Sequence, residues 1–286
     1  MPGGSASAAV VGVVLAAAVA HAAWNLLAKA MDDQVVAFWL INLAALLCGA
    51  GLVAAAGVPA GAALPYLAVS VVLHLAYNTA LLNSYRFGDL SRVYPLARGI
   101  APLVVTAGAA VLAGESLSGP QLAGVAVVAG GVASMVCLGG PGAARQDRRA
   151  VLLAVCTGLL IAAYSLSDGL GVRRSADPFG YAGLLFVVES SAMVAGLAAW
   201  RRGLLPARPT RSWVLGLAAG VLSVGAYSGV LWAQTRLALG LVSALRETSV
   251  VVAALLGTVV LHEGSGRRRL LAAAVVCAGV ALLLVG

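Results

Sequence analysis

Charge is scarce in this sequence. Only 10% of the 286 residues are Asp, Glu, Lys or Arg, against roughly 25% in an ordinary soluble domain. Hydrophobic residues reach 62%, so a water-soluble globule is excluded and a membrane-embedded chain is expected. Histidine and cysteine are few as well, three and four, with no CxxC and no His/carboxylate cluster at ligand spacing. A zinc site and a disulfide framework are therefore not expected, and no metal or cofactor is implied. Cys48, Cys137, Cys156 and Cys277 fall within apolar runs and read as small buried hydrophobes. No GxxxxGK[ST] motif occurs, which argues against ATP as an energy source. The stretch 1–9 carries no basic residue, so the first apolar run is expected to be a retained helix rather than a signal peptide.

The net charge of +8 does not point to nucleic acid, because sixteen of the eighteen basic residues stand at helix ends or in short connections. That distribution is a topology signal.

Ten apolar runs approach the ~20 residues that a helix needs to cross a bilayer: 8–28, 35–56, 64–84, 90–112, 118–138, 150–170, 180–200, 213–235, 241–261 and 267–285. They lack the alternation of barrel strands. The expected fold is an all-α polytopic membrane protein of ten transmembrane helices. Its 35 glycines suit close helix contacts in lipid, as in the Gly216-Leu-Ala-Ala-Gly220 spacing.

The chain repeats itself. Residues 77–86 align with 227–236 at an offset of 150. Arg98 meets Arg246, Glu115 meets Glu263 and Gly131 meets Gly279 at an offset of 148. More weakly, Ala23-Trp24-Asn25 aligns with Ala163-Tyr164-Ser165. Two units follow, 1–140 and 141–286, of five helices each. An odd number of helices makes the second copy enter the membrane from the opposite side, an inverted repeat with a substrate site at the midplane between the halves.

The five-plus-five pattern resembles the EamA family of the drug/metabolite transporter superfamily. So do Leu112-Ala113-Gly114-Glu115 and Val260-Leu261-His262-Glu263, each followed by the last helix of its repeat, although His262 stands where Gly is usual. The segments 21–25 and 94–99 resemble a branch found near phosphonate-use genes. The resemblance implies secondary transport of small metabolites, amino acids or drugs, often export, in a bacterial cytoplasmic membrane. Orientation is in conflict. Thirteen basic residues fall in odd-numbered connections and three in even ones, which puts both termini outside, whereas the resemblance implies cytoplasmic termini.

The candidate site starts from charge within spans, since an arginine in lipid costs between about 2.5 and over 10 kcal/mol. Arg98 is expected to bind an anionic substrate group, with Tyr94 beside it, or else to sit in an internal ion pair. Pro95 and Pro102 would free carbonyls of that helix toward a cavity. Arg246 is either a second substrate contact or a side chain snorkelling to the interface. Glu189, in mid-span, is expected to couple a proton or to salt-bridge Arg98 or Arg246, and Glu247 is a second coupling candidate. Asp168 is expected at the interface, with the same work as Glu189 as its alternative. His21, Asn25, His74, Asn78 and Tyr227 lie on polar helical stripes and are expected to face the bundle, lining a cavity or else tying helices together. The five tryptophans read as interfacial anchors. The function expected is a secondary transporter working by alternating access, proton-coupled, as a monomer or homodimer among lipids. A passive facilitator and an intramembrane lipid-modifying enzyme are the alternatives.

Overall fold

A computed structural model describes residues 4–87, 90–137, 148–201, 211–253 and 267–285. Among these, ten α-helices follow one another: α1 (Gly4–Lys29), α2 (Gln34–Ala56), α3 (Leu64–Phe87), α4 (Leu90–Ala113), α5 (Gly119–Cys137), α6 (Arg148–Val172), α7 (Pro178–Trp200), α8 (Arg211–Gln234), α9 (Leu239–Arg246) and α10 (Arg267–Val285). A turn of 3-10 helix, Gly61–Ala63, precedes α3. Over the described residues six helices are long and apolar enough to cross a membrane. No strand occurs among the described residues, and large apolar side chains such as Leu47, Val72, Val111 and Val214 cover the outside.

The ninth apolar run is where expectation and structure part. A single span over 241–261 was expected, but α9 ends at Arg246, Glu247 forms a turn, and helix resumes over 248–253. The N–H of Val250 bonds to the carbonyl of Glu247 rather than to that of Arg246. α4, by contrast, runs unbroken through Pro95 and Pro102. The break in the helix ladder thus lies in α9, while α4 stays continuous around its two prolines.

The helices pair across the two halves: α2 against α7, α5 against α10, α1 against α8 and α3 against α6. Small residues permit these approaches. A Cβ on Gly49 would stand 2.9 Å from the Gly183 carbonyl, and one on Gly183 would stand 2.9 Å from that of Gly49. At the α5–α10 contact Gly131 abuts Val276 while Gly279 abuts Val128. The Gly216/Gly220 spacing seats α8 on α2, with Gly220 against the Ile41 carbonyl.

Connections sort by face. Arg201 pairs with Asp33 at 2.6 Å, joining the first and seventh connections, while Arg173 pairs with Glu115 at 2.6 Å, joining the sixth and fourth. Asp33 also caps α2 through Val35 and Val36. Partial burial pushes its carboxyl up, but the Val36 N–H, Arg201 and the Val35 N–H outweigh that and hold it below the usual carboxylate range.

Three sequence expectations change here. Cys156 and Cys277 are exposed rather than buried. Trp24 and Trp39 are buried in the bundle rather than placed as interfacial anchors, Trp39 in a cluster with Phe38, Tyr77 and Tyr164. Asp168 is fully buried.

The α2–α8 contact sets a test on a single helix. Gly220→Ala puts a methyl about 2.5 Å from a backbone oxygen and should cost about 1–3 kcal/mol of overpacking. Gly225→Ala meets nothing within 4 Å and should be neutral or slightly stabilising. Denaturant unfolding in detergent micelles reads the difference, and equal effects of the two would refute the close packing.

Candidate functional site

Arg98 reaches from α4 into the break after α9. Its Nε donates to Glu247 Oε2 at 3.0 Å, and its Nη2 donates to Ser249 Oγ at 2.9 Å and to the Arg246 carbonyl at 3.4 Å. That carbonyl is open to a side chain because the helix breaks there. Both members of the ion pair are almost wholly buried. Of the two readings for Arg98, an internal pair is what forms, and Glu247 is tied up in it.

The neighbouring arginine does something else. Arg246 is buried, so it does not snorkel. Its Nη1 donates to Ser165 Oγ at 3.5 Å, and its guanidinium lies 5.4 Å from the Tyr227 ring centre. No carboxylate stands within ion-pair distance of Arg246 among the described residues.

The acidic groups gather on the other side of Tyr227. Glu189 accepts from Asn78 Nδ2 at 2.5 Å and lies 3.6 Å from His74 Nδ1, not against either arginine. His74 Nε2 lies 3.1 Å from Asp168 Oδ2, and Tyr181 and Tyr227 both donate to Asp168. A carboxylate expected at the interface is therefore the most enclosed acid of this cluster.

One cavity of about 90 Å³ joins these groups. The sequence-derived candidates His21, His74, Asn78, Arg98, Glu189, Tyr227 and Arg246 all line it. Asn25 does not; its Nδ2 donates to the His21 carbonyl at 2.8 Å. Glu247 stands behind Arg98 rather than on the wall. The side chain of Tyr94 lies outside the described residues, as do His262 and Glu263. Sequence reasoning missed Asn42, Tyr77, Tyr164 and Ser190, which also line the cavity. Tyr77 and Tyr164 carried a signal, since the repeat aligns them with Tyr227 and Trp24. Asn42 is a single polar residue in an apolar run and carried none.

Two wall atoms keep their hydrogen-bonding capacity. Trp24 Nε1 donates to His21 Nδ1 at 3.3 Å, so Nε2 carries the ring hydrogen, and that buried atom has no partner among the described residues. The same is true of Ser190 Oγ.

The Gly-Glu element acts at one membrane face. Gly114 has φ +63, the left-handed conformation that commonly ends a helix, and the Glu115 N–H bonds back to the Ala109 carbonyl, closing α4. That turn delivers Glu115 Oε2 to the Leu239 N–H at the start of α9, 2.8 Å away. One signature thus closes α4 and caps the broken helix.

Breaking a buried ion pair from one side leaves an uncompensated charge. Arg98→Met should cost about 3–5 kcal/mol, and adding Glu247→Met should recover most of it. Unfolding of both variants in micelles measures this, and a double variant no better than the single would show that the pair is not what Glu247 serves.

No curated protein matches the chain. A crystal structure matches it with a TM-score of 0.76 at 15% identity, covering 96% of this chain and 97% of the other. That likeness establishes a shared fold. The model of the EamA-like transporter family matches residues 148–285. Over that second half the chain is similar to the EamA-like transporter family, and its six described helices long and apolar enough to cross a membrane agree with a multi-pass membrane protein.

Proposed function

We propose that the protein is a secondary active transporter in a bacterial cytoplasmic membrane, exporting a small solute with an anionic group by alternating access. The observation that carries this reading is the cavity at Arg246, a buried guanidinium without a carboxylate partner among the described residues. Such a charge is costly to keep in a membrane interior and is offset when an anion binds it. The His21 Nε2–H and the Ser190 hydroxyl supply further donors lining the same cavity. Aromatic rings from Tyr77, Tyr164, Phe186 and Tyr227 furnish apolar sides for the rest of the solute. The anionic contact expected at Arg98 passes to Arg246, since Glu247 already neutralises Arg98.

The two halves act as inverted repeats in this reading. Repeat-related pairs line the cavity together: Trp24 with Tyr164, Tyr77 with Tyr227, Arg98 with Arg246. The reciprocal contacts Gly131–Val276 and Gly279–Val128 relate positions 148 apart in both directions, as a two-fold axis between the halves would. Rocking one half against the other around a fixed site is how such repeats alternate access. Glu189, on the cavity wall beside His74, is the group through which a proton moves the other way.

Proteoliposomes with a trapped pH dye, challenged with L-amino acids, aminophosphonates and cationic drugs, test this. A solute with an anionic group should move protons in the wild-type protein. Glu189→Gln should abolish the proton movement. Arg246→Gln should raise KM about 10-fold or more, the equivalent of losing a charge-assisted hydrogen bond. Saturable flux indifferent to the pH gradient and to Glu189→Gln would make the protein a facilitator. Activity restricted to cationic drugs would overturn the role of Arg246.

A further inference from the structure

Asp168 has no role in the structural account above, yet it is the most enclosed acid among the described residues and is fixed from three sides. Tyr181 OH donates to its Oδ1 at 2.9 Å, Tyr227 OH donates to its Oδ2, and His74 Nε2 faces the same Oδ2 at 3.1 Å. Its immediate partners are donors, so Asp168 is an acceptor and the hydrogen on the His74 ring sits on Nε2. The other ring nitrogen, Nδ1, then presents a lone pair, and what it meets is Glu189 Oε2 at 3.6 Å. Asn78 donates to the opposite oxygen of Glu189 at 2.5 Å, leaving Oε2 as the one turned to the ring.

We propose that Asp168, His74 and Glu189 form a single proton-carrying unit, in which Asp168 sets the tautomer of His74 and His74 Nδ1 exchanges a proton with Glu189. The inference rests on the transport reading for the use made of that proton and extends it to the chain of atoms that holds it. Glu189 and His74 line the cavity while Asp168 stands behind them, so the proton enters at Glu189. In the exchange the Oε2–H bond of protonated Glu189 breaks and an N–H bond forms at Nδ1. Neutral carboxyl and neutral imidazole become carboxylate and imidazolium, and the trio keeps one net negative charge. The imidazolium then stands between two carboxylates, donating to both. Asp168 is a positioning residue here, acting on the proton only through the ring, in the way that a carboxylate orients an imidazole in many sites.

The other groups facing His74 fit this arrangement. Tyr164 of α6 lies against the ring with centroids 4.1 Å apart, and Tyr227 of α8 places its hydroxyl 3.3 Å from Nε2. Arg246 of α9 is the cation that acts on the ring from across Tyr227. A bound anion at Arg246 would alter that field, and Tyr227 touches both the arginine and the relay. Substrate and proton therefore share one neighbour.

Solid-state NMR of the 15N-histidine protein in liposomes tests the relay without a substrate. The chain has three histidines, so His21→Gln and His262→Gln assign the signals. Wild-type His74 should show the Nε2–H tautomer at high pH and gain a proton on Nδ1 on acidification, with a broadened, two-step curve because it is coupled to Glu189. Glu189→Gln should reduce that curve to one simple transition, and Asp168→Asn should shift the tautomer toward Nδ1–H. A His74 that is Nδ1–H in the wild type, never changes protonation, or titrates identically in Glu189→Gln overturns the proposal. Wild type and Glu189→Gln decide it even where Asp168→Asn does not fold. The transport reading fails separately: a working relay with pH-indifferent flux refutes coupling, and a silent His74 with Glu189-dependent proton flux refutes the relay alone.

Discussion

Hydrocarbon offers no hydrogen-bond partner, so each polar group carried into it must be met by another part of the chain. The buried pair between Arg98 and Glu247 is the most demanding case in this protein, with both side chains almost wholly enclosed. Meeting Arg98 requires two things of α9: a carboxylate at the right height and a main-chain carbonyl released from the helix ladder. The turn at Glu247 supplies both. The break in α9 is therefore less a defect in a span than the shape that an arginine on α4 imposes on the helix opposite. Glu115 supports the same break from outside by capping the Leu239 N–H.

Once Arg98 is neutralised, the remaining charges divide the cavity. Arg246 lies on one side of Tyr227, and Glu189, His74 and Asp168 lie on the other. Tyr227 gives its hydroxyl to Asp168 and its ring to Arg246, so one side chain holds the two regions apart and in register. The cavity is small, about 90 Å³. A solute that bridges the two regions would have to be compact or would open the helices as it enters.

Much of the fold was legible in the sequence because hydrophobic run length and repeat spacing are one-dimensional signals. The starts and ends of α4, α7 and α8 follow from them closely. The Gly216/Gly220 contact was legible too, as small residues at helical spacing have few other uses in lipid. What sequence did not convey was which charge meets which. One of the two readings for Glu189 put it against an arginine, whereas it lies against His74 and Asn78. Asp168 was assigned to an interface because its run was counted as ending beside it, whereas α6 continues to Val172. Its true setting had a trace: Tyr164 and Asp168 are four residues apart, on one face of a helix. The break in α9 left no proline or glycine to announce it, being caused by a partner on another helix.

The sequence offset of 148 between the halves bears on why two aligned arginines have different surroundings. Arg98 and Arg246 occupy matching positions, 148 residues apart, but the next residue is Gly99 in the first copy and Glu247 in the second. Symmetry would ask for a glutamate at both places, giving each arginine its own acid and leaving the cavity without a free positive charge. The first copy has no room for it. A Cβ on Gly99 would come within 2.8 Å of the Ala129 carbonyl on α5. Close packing of α4 on α5 excludes any side chain at that point, so among the described residues the two arginines have one carboxylate at ion-pair distance between them. That carboxylate goes to Arg98 across the break, and Arg246 is left facing the cavity with serine and an aromatic ring. A packing constraint in the first half thus accompanies an arginine without a carboxylate partner among the described residues in the second, and that is the place the proposed anionic solute would fill.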